Sequence, residues 1–161
     1  MANFDPNQPR NEDGEWTVAA QSAYVGAGLE FPAEGFEHAG WYYEGDFQKE
    51  HGDEYIYHSS FEDNLESIKA KGLIGGLGSN YEGYNTPDVA FATNVDEALY
   101  FYTMARNKRQ NPAAIILLRA KVSQTTAESY KWHMNEVRSG NVSPEVLEIW
   151  DIIERRWRPL K

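Results

Sequence analysis

Tyr55-Ile56-Tyr57-His58-Ser59-Ser60, followed by a segment closing on Lys69-Ala70-Lys71-Gly72, is the stretch from which the fold is read. Ile56 between two tyrosines has β-favouring composition, so residues 55–58 read as a short strand ending on His58 and two hydroxyl residues. Ser60 is then a helix N-cap, with Asp63 three residues on and Glu62 adding negative charge to the first turn. Leu65 and Ile68 lie on one face, Lys69 and Lys71 fall in the last turn, and Gly72 stands at the C′ position. The unit is strand, His-Ser-Ser, capped helix, with an ionisable ring at its turning point.

Composition bounds the rest. A chain of 161 residues with 41% hydrophobic and 14% aromatic residues suits one globular domain and a short tail. No apolar run is long enough to span a membrane, and Met1–Arg10 has no signal-peptide core. Without cysteine there is no disulfide, thiolate nucleophile or thiolate metal site, which fits a cytoplasmic protein. The net charge of −10 is uneven: residues 1–54 hold twelve Asp/Glu against two Lys/Arg, and residues 55–161 hold thirteen of each. A neutral body lacks the basic footprint of a duplex-binding protein. His38, His51, His58 and His133 lack the paired spacing of a helical zinc site, so no metal is expected.

In chain order, residues 1–17 are a polar, turn-rich tail and residues 18–54 an acidic extension whose aromatics, Trp41-Tyr42-Tyr43 among them, pack on the body. Gly75–Tyr84 is a glycine-rich loop without a phosphate-loop or dinucleotide fingerprint. Val89-Ala90-Phe91-Ala92-Thr93 is a strand. Thr93 or Asn94 caps the following helix, whose apolar face comprises Ala98, Leu99, Phe101, Tyr102 and Ala105. Ala114–Val122 is a central strand buried on both faces. Ser143-Pro144-Glu145 begins a short helical turn, and the segment beyond it supplies at least one more strand.

Three of these segments carry a resemblance. Tyr57-His58-Ser59-Ser60 with Asn64–Ile68 and Lys71-Gly72-Leu73, the strand–helix at 89–102, and Asn135-Glu136-Val137 with Val142–Ile149 together resemble ADP-ribosyltransferases. The branch is that of diphtheria toxin and the poly(ADP-ribose) polymerases. The resemblance spans most of residues 55–153 and implies an α+β fold: a split of two small, mostly antiparallel sheets with flanking helices. It implies NAD as substrate, with His58 bonding a ribose and the Ser59 backbone gripping the nicotinamide carboxamide. Thr93, Phe101 and Tyr102 lie near the cofactor, Phe101 as the stacking ring. Glu136 is the implied catalytic acid. Breaking the N-glycosidic bond of NAD builds positive charge on the ribose, and a fixed carboxylate favours that charge only as it develops.

Departures are visible. Ser59 stands where the family often has Gly, Ala90 where the polymerase branch has Tyr, and Met134 where arginine- and asparagine-modifying transferases carry Gln or Glu. Tyr81 or Tyr84 is an alternative source of the missing ring. Residues 4–17 also resemble a short segment of tailed-phage head-associated proteins, which hints at a phage origin and makes virion association an alternative to the host cytoplasm. The implied function is mono-ADP-ribosyl transfer to a protein or nucleic-acid acceptor. The alternatives are an NAD glycohydrolase using the same residues and a non-catalytic phage interaction module. RNA 2′-phosphotransferase shares the fold but is usually more basic and lacks this Glu.

Overall fold

A computed structural model describes residues 29–76 and 88–161. The polar tail, the start of the acidic extension, and Tyr81 and Tyr84 of the glycine-rich loop lie outside them. In chain order the strands are β1 (Tyr55–Phe61), β2 (Val89–Ala92), β3 (Ile115–Lys121), β4 (Glu128–Ser129), β5 (Glu136–Ser139), β6 (Glu148–Asp151) and β7 (Arg156–Pro159). The helices are α1 (Phe47–His51), α2 (Leu65–Lys71) and α3 (Val95–Arg109), with short 3-10 turns between elements. The fold class is α+β.

All the pairings are antiparallel, and the strands form one sheet in the order β4-β5-β2-β1-β3-β6-β7. The two separate sheets expected from the sequence are therefore corrected to a single one. The reason lies at the β1–β2 junction. β1 runs along β3 for seven residue pairs but meets β2 at one, Tyr57 opposite Ala92. That rung joins a three-stranded half to a four-stranded half and leaves a seam where the strands part.

β1 itself is longer than its local sequence suggests. It continues through Ser59, Ser60 and Phe61 because β3 offers Leu117, Ile116 and Ile115 as partners for them. His58 is thus the middle residue of the strand rather than its end. Ser60 does not cap the helix; its Oγ accepts from Asn64 Nδ2, and Asn64 precedes α2 after a 3-10 turn over Glu62–Asn64. Gly72 does end α2, with φ of +77°, and a Cβ there would lie 2.0 Å from the Val142 carbonyl oxygen. Leu73 bridges to Val142 at that contact, so only glycine allows the close approach.

The alternation of β3 builds two cores. Ile116, Leu118 and Ala120 face one side with Ile56, Phe91 and Val137, which is covered by Phe47 of α1 and Ile68 of α2. Ile115 and Leu117 face the other with Tyr57, Phe61 and Ala92, which is covered by Val95, Ala98, Leu99, Tyr102 and Ala105 of α3. A strand buried on both faces needs a continuous apolar run, and β3 has one. The end of the chain forms two strands, the hairpin of β6 and β7.

From residue 29 onward the acidic extension belongs to this body. Gly35 bridges to Asn94 and Ala39 to Met134. Glu34 accepts from Tyr57 Oη (3.0 Å), Trp157 Nε1 (3.0 Å) and Arg119 Nη1 (3.1 Å). Arg119 also pairs with Glu148 and lies over the rings of Tyr55 and Trp157. Phe47 is fully buried, whereas Trp41 and Tyr42 are exposed, so the expected packing of the extension's aromatics holds for some and not for others. Among the described residues no helix is long and apolar enough to cross a membrane.

Candidate active site

Strand register gathers three distant segments. β2 lies between β1 and β5, with Ala92 opposite both Tyr57 and Glu136, and Ala90 opposite Arg138. Paired residues project to the same side, so Glu136, Arg138 and Ala90 share the face that α3 covers. Ser59 is on that face too, its Oγ donating to the Ala98 carbonyl of α3 at 2.7 Å. Phe101 is half-buried at the edge of the same cluster.

Glu136 is 2% exposed. Its Oε2 accepts from Arg138 Nε at 2.6 Å, and the Arg138 guanidinium lies 4.1 Å over the Tyr130 ring. Among the described residues none bonds Oε1. Sequence reasoning missed Arg138 as part of this group. The signal was present: a Glu and an Arg two residues apart on one strand must emerge side by side.

Asn135 sets the carboxylate's position. Its backbone is left-handed, with φ of 60°, a conformation asparagine tolerates better than most residues. Its Oδ1 accepts from the His38 amide (2.6 Å) and from Thr93 Oγ1 (3.3 Å), and its Nδ2 donates to Glu37 Oε2 (2.8 Å). The Asn135 amide donates to the His38 carbonyl, and its carbonyl accepts from the Thr93 amide. The bend into β5 is therefore held by both the extension and the end of β2.

The remaining sequence-derived residues fall in different places. His58 alternates onto the opposite face from Glu136, its ring meeting Phe91 at 5.6 Å, and its Nδ1 reaches the Ala90 carbonyl at 2.7 Å across the seam. A carbonyl only accepts, so Nδ1 carries the proton and Nε2 of the neutral ring is an acceptor. Thr93 is wholly buried, with its hydroxyl donating to the Phe36 carbonyl; Asn94 is the cap of α3, accepting from the Glu97 amide. Tyr102 lies in the core with its hydroxyl on the Ala113 carbonyl. Ser59 and Glu136 thus lie on one face, and Phe101 sits on the helix that covers it. His58 lies on the other face, and the buried Thr93 and Tyr102 have their hydroxyls bound to backbone carbonyls.

Burial holds the pKa of His58 below the ordinary 6.5, partly offset by the Ala90 carbonyl; burial, together with the charge of His51, does the same for His38. The unfolded chain then takes up protons near pH 6.5 that the folded chain refuses. Stability is complete above that pH and lost as the pH falls through 6.5 toward the depressed folded values. The thermal midpoint is expected to be level from pH 8 to 7 and to decline below 6.5, with a shallower decline in His58→Gln. A midpoint that rises on acidification would contradict the burial of these rings.

Comparison with protein-family models and with curated proteins finds no match for this chain. Among the described residues there is no cluster of three or more His, Asp or Glu arranged to hold a metal ion.

Proposed function

We propose that the protein is an NAD-dependent mono-ADP-ribosyltransferase with an ADP-ribosyltransferase-like fold. The observation that carries this reading is Glu136: a buried carboxylate on the face of the sheet that also holds Ser59 and is covered by the helix bearing Phe101. The stretches carrying the family resemblance are far apart in sequence, yet they include β1, β2 and β5, which are neighbours in the sheet.

The residues fit the dinucleotide's chemistry. NAD supplies an electrophilic ribosyl carbon with nicotinamide as leaving group. The half-buried ring of Phe101 suits a flat heteroaromatic, whereas His58, on the opposite face from Glu136, is not part of this set. Glu136 supplies negative charge in a site already shielded from water, where its effect on developing positive charge is strongest. Asn135, through Thr93 and His38, keeps that charge in place. One observation favours the non-catalytic interaction module as a second reading: Arg138 already occupies Oε2 of Glu136 and offsets its charge.

The test is nicotinamide release from NAD by the purified protein, with and without cell lysate, beside a calorimetric NAD titration. Release that requires lysate identifies a transferase. Release without lysate identifies a glycohydrolase or automodification. No release and no heat of NAD binding rejects the enzyme in favour of the module.

A further inference from the structure

Away from the carboxylate, large side chains are exposed in two segments that the fold brings together. Trp41 (45% exposed) and Tyr42 (81%) project from the turn Gly40–Tyr42, and Trp132 (77%) and Met134 (41%) from the segment leading into β5. Ala39 and Met134 form an antiparallel bridge. Gly40 sits so close to the second segment that a Cβ there would lie 2.2 Å from the Tyr130 carbonyl oxygen. The Trp41 and Tyr42 rings meet edge to face at 6.0 Å. Neighbouring exposed rings of this size mark an interaction surface more often than inert exterior.

Carboxylates outnumber cations beside this surface: Glu44, Asp46, Glu50 and Glu128 against Lys49 and Lys131. Tyr43 donates to Glu50, and its hydroxyl is held above its ordinary range by burial, by that hydrogen bond and by the charges of Glu50, Asp46 and Glu128. Glu50 is tied to the turn by that hydrogen bond, and Glu128 lies beside it through Ser129, whose Oγ is 3.2 Å from where a Gly40 Cβ would be. Glu44 and Glu128 are exposed and make no ion pair among the described residues. Aromatic faces and unpaired carboxylates together attract a planar cation, since guanidinium stacks on Trp and Tyr while bonding carboxylate. The same charge repels phosphate, which disfavours nucleic acid.

We infer that the surface formed by Trp41, Tyr42, Trp132 and Met134 docks an arginine- or lysine-rich segment of a partner protein. The inference goes beyond the proposed reaction and needs no NAD, so binding is measured without it. The probe is a fluorescein-labelled twelve-residue Arg-Gly repeat peptide, followed by anisotropy at low and moderate salt. A Glu-Gly peptide of equal length and a labelled oligothymidine serve as comparisons. Wild type is expected to bind the Arg-Gly peptide alone. The combined variant Trp41→Ser, Tyr42→Ser, Trp132→Ser, which keeps every charge and touches no core residue, is expected to bind it about tenfold more weakly or worse. Glu44→Gln with Glu128→Gln is expected to weaken it as well. Undiminished binding by the triple serine variant, with an unchanged circular dichroism spectrum, would reduce the effect to bulk acidity and overturn the inference. So would no binding by wild type, or a preference for the acidic peptide or the oligonucleotide.

Discussion

If the proposed reaction holds, Glu136→Gln is expected to slow nicotinamide release from NAD by about 10²- to 10³-fold, the usual consequence of removing one preorganised charge from a developing ionic transition state. The amide keeps the shape of the carboxylate and an oxygen for Arg138 Nε but not its charge, so the fold should lose about 1.5–3 kcal/mol. Alanine is a poorer probe. Arg138 pairs with Glu136 in a nearly dry site, and truncating one partner leaves a buried charge uncompensated. Glu136→Ala is therefore expected to cost about 3–5 kcal/mol of stability in addition to activity. Urea denaturation and chromatographic assay of nicotinamide separate the two effects. Wild-type turnover in a folded Glu136→Gln protein would remove the carboxylate from the mechanism.

Asn135→Ala is expected to destabilise the protein by about 3 kcal/mol, from a buried His38 amide left without its acceptor and a left-handed backbone imposed on alanine. Asn135→Gly loses the same hydrogen bonds but relieves the backbone, so it should be milder by about 1 kcal/mol. Both variants should lower nicotinamide release more than they lower stability at assay temperature, because the side chain removed is the one that sets the course of the chain into β5. Equal stability of the Ala and Gly variants would show that the φ of 60° carries no strain. Full activity in either would show that the bend does not need this clamp.

Much of this was legible along the chain. Local propensity marks β3, because the β-branched, near-continuous apolar run of residues 114–122 after Pro112 suits a strand covered on both sides. It marks α3 as well, through the Asn94 cap, Asp96 and Glu97 in the first turn and the basic last turn. Gly72 was readable as a helix stop because its φ is a local requirement. The Asn135-Glu136 pair stood out by resemblance, but its surroundings did not. Arg138, Tyr130 and His38 became part of the site only through strand pairing and through the bridges from residues 35 and 39.

The amino-acid sequence by itself determined the start of β1, the strands β2 and β3, the helices α2 and α3, which residues are apolar enough for a core, and where the negative charge is concentrated. Those properties depend on neighbours a few residues away. Tertiary structure alone decided that β1 runs on to Phe61, that one sheet with a single-rung seam replaces two, and that residues 29–54 share the core. Each of these rests on hydrogen bonds and contacts between segments tens of residues apart. A pairing partner such as β3 can override a local capping signal like Ser60, because a ladder of backbone bonds outweighs one side-chain cap.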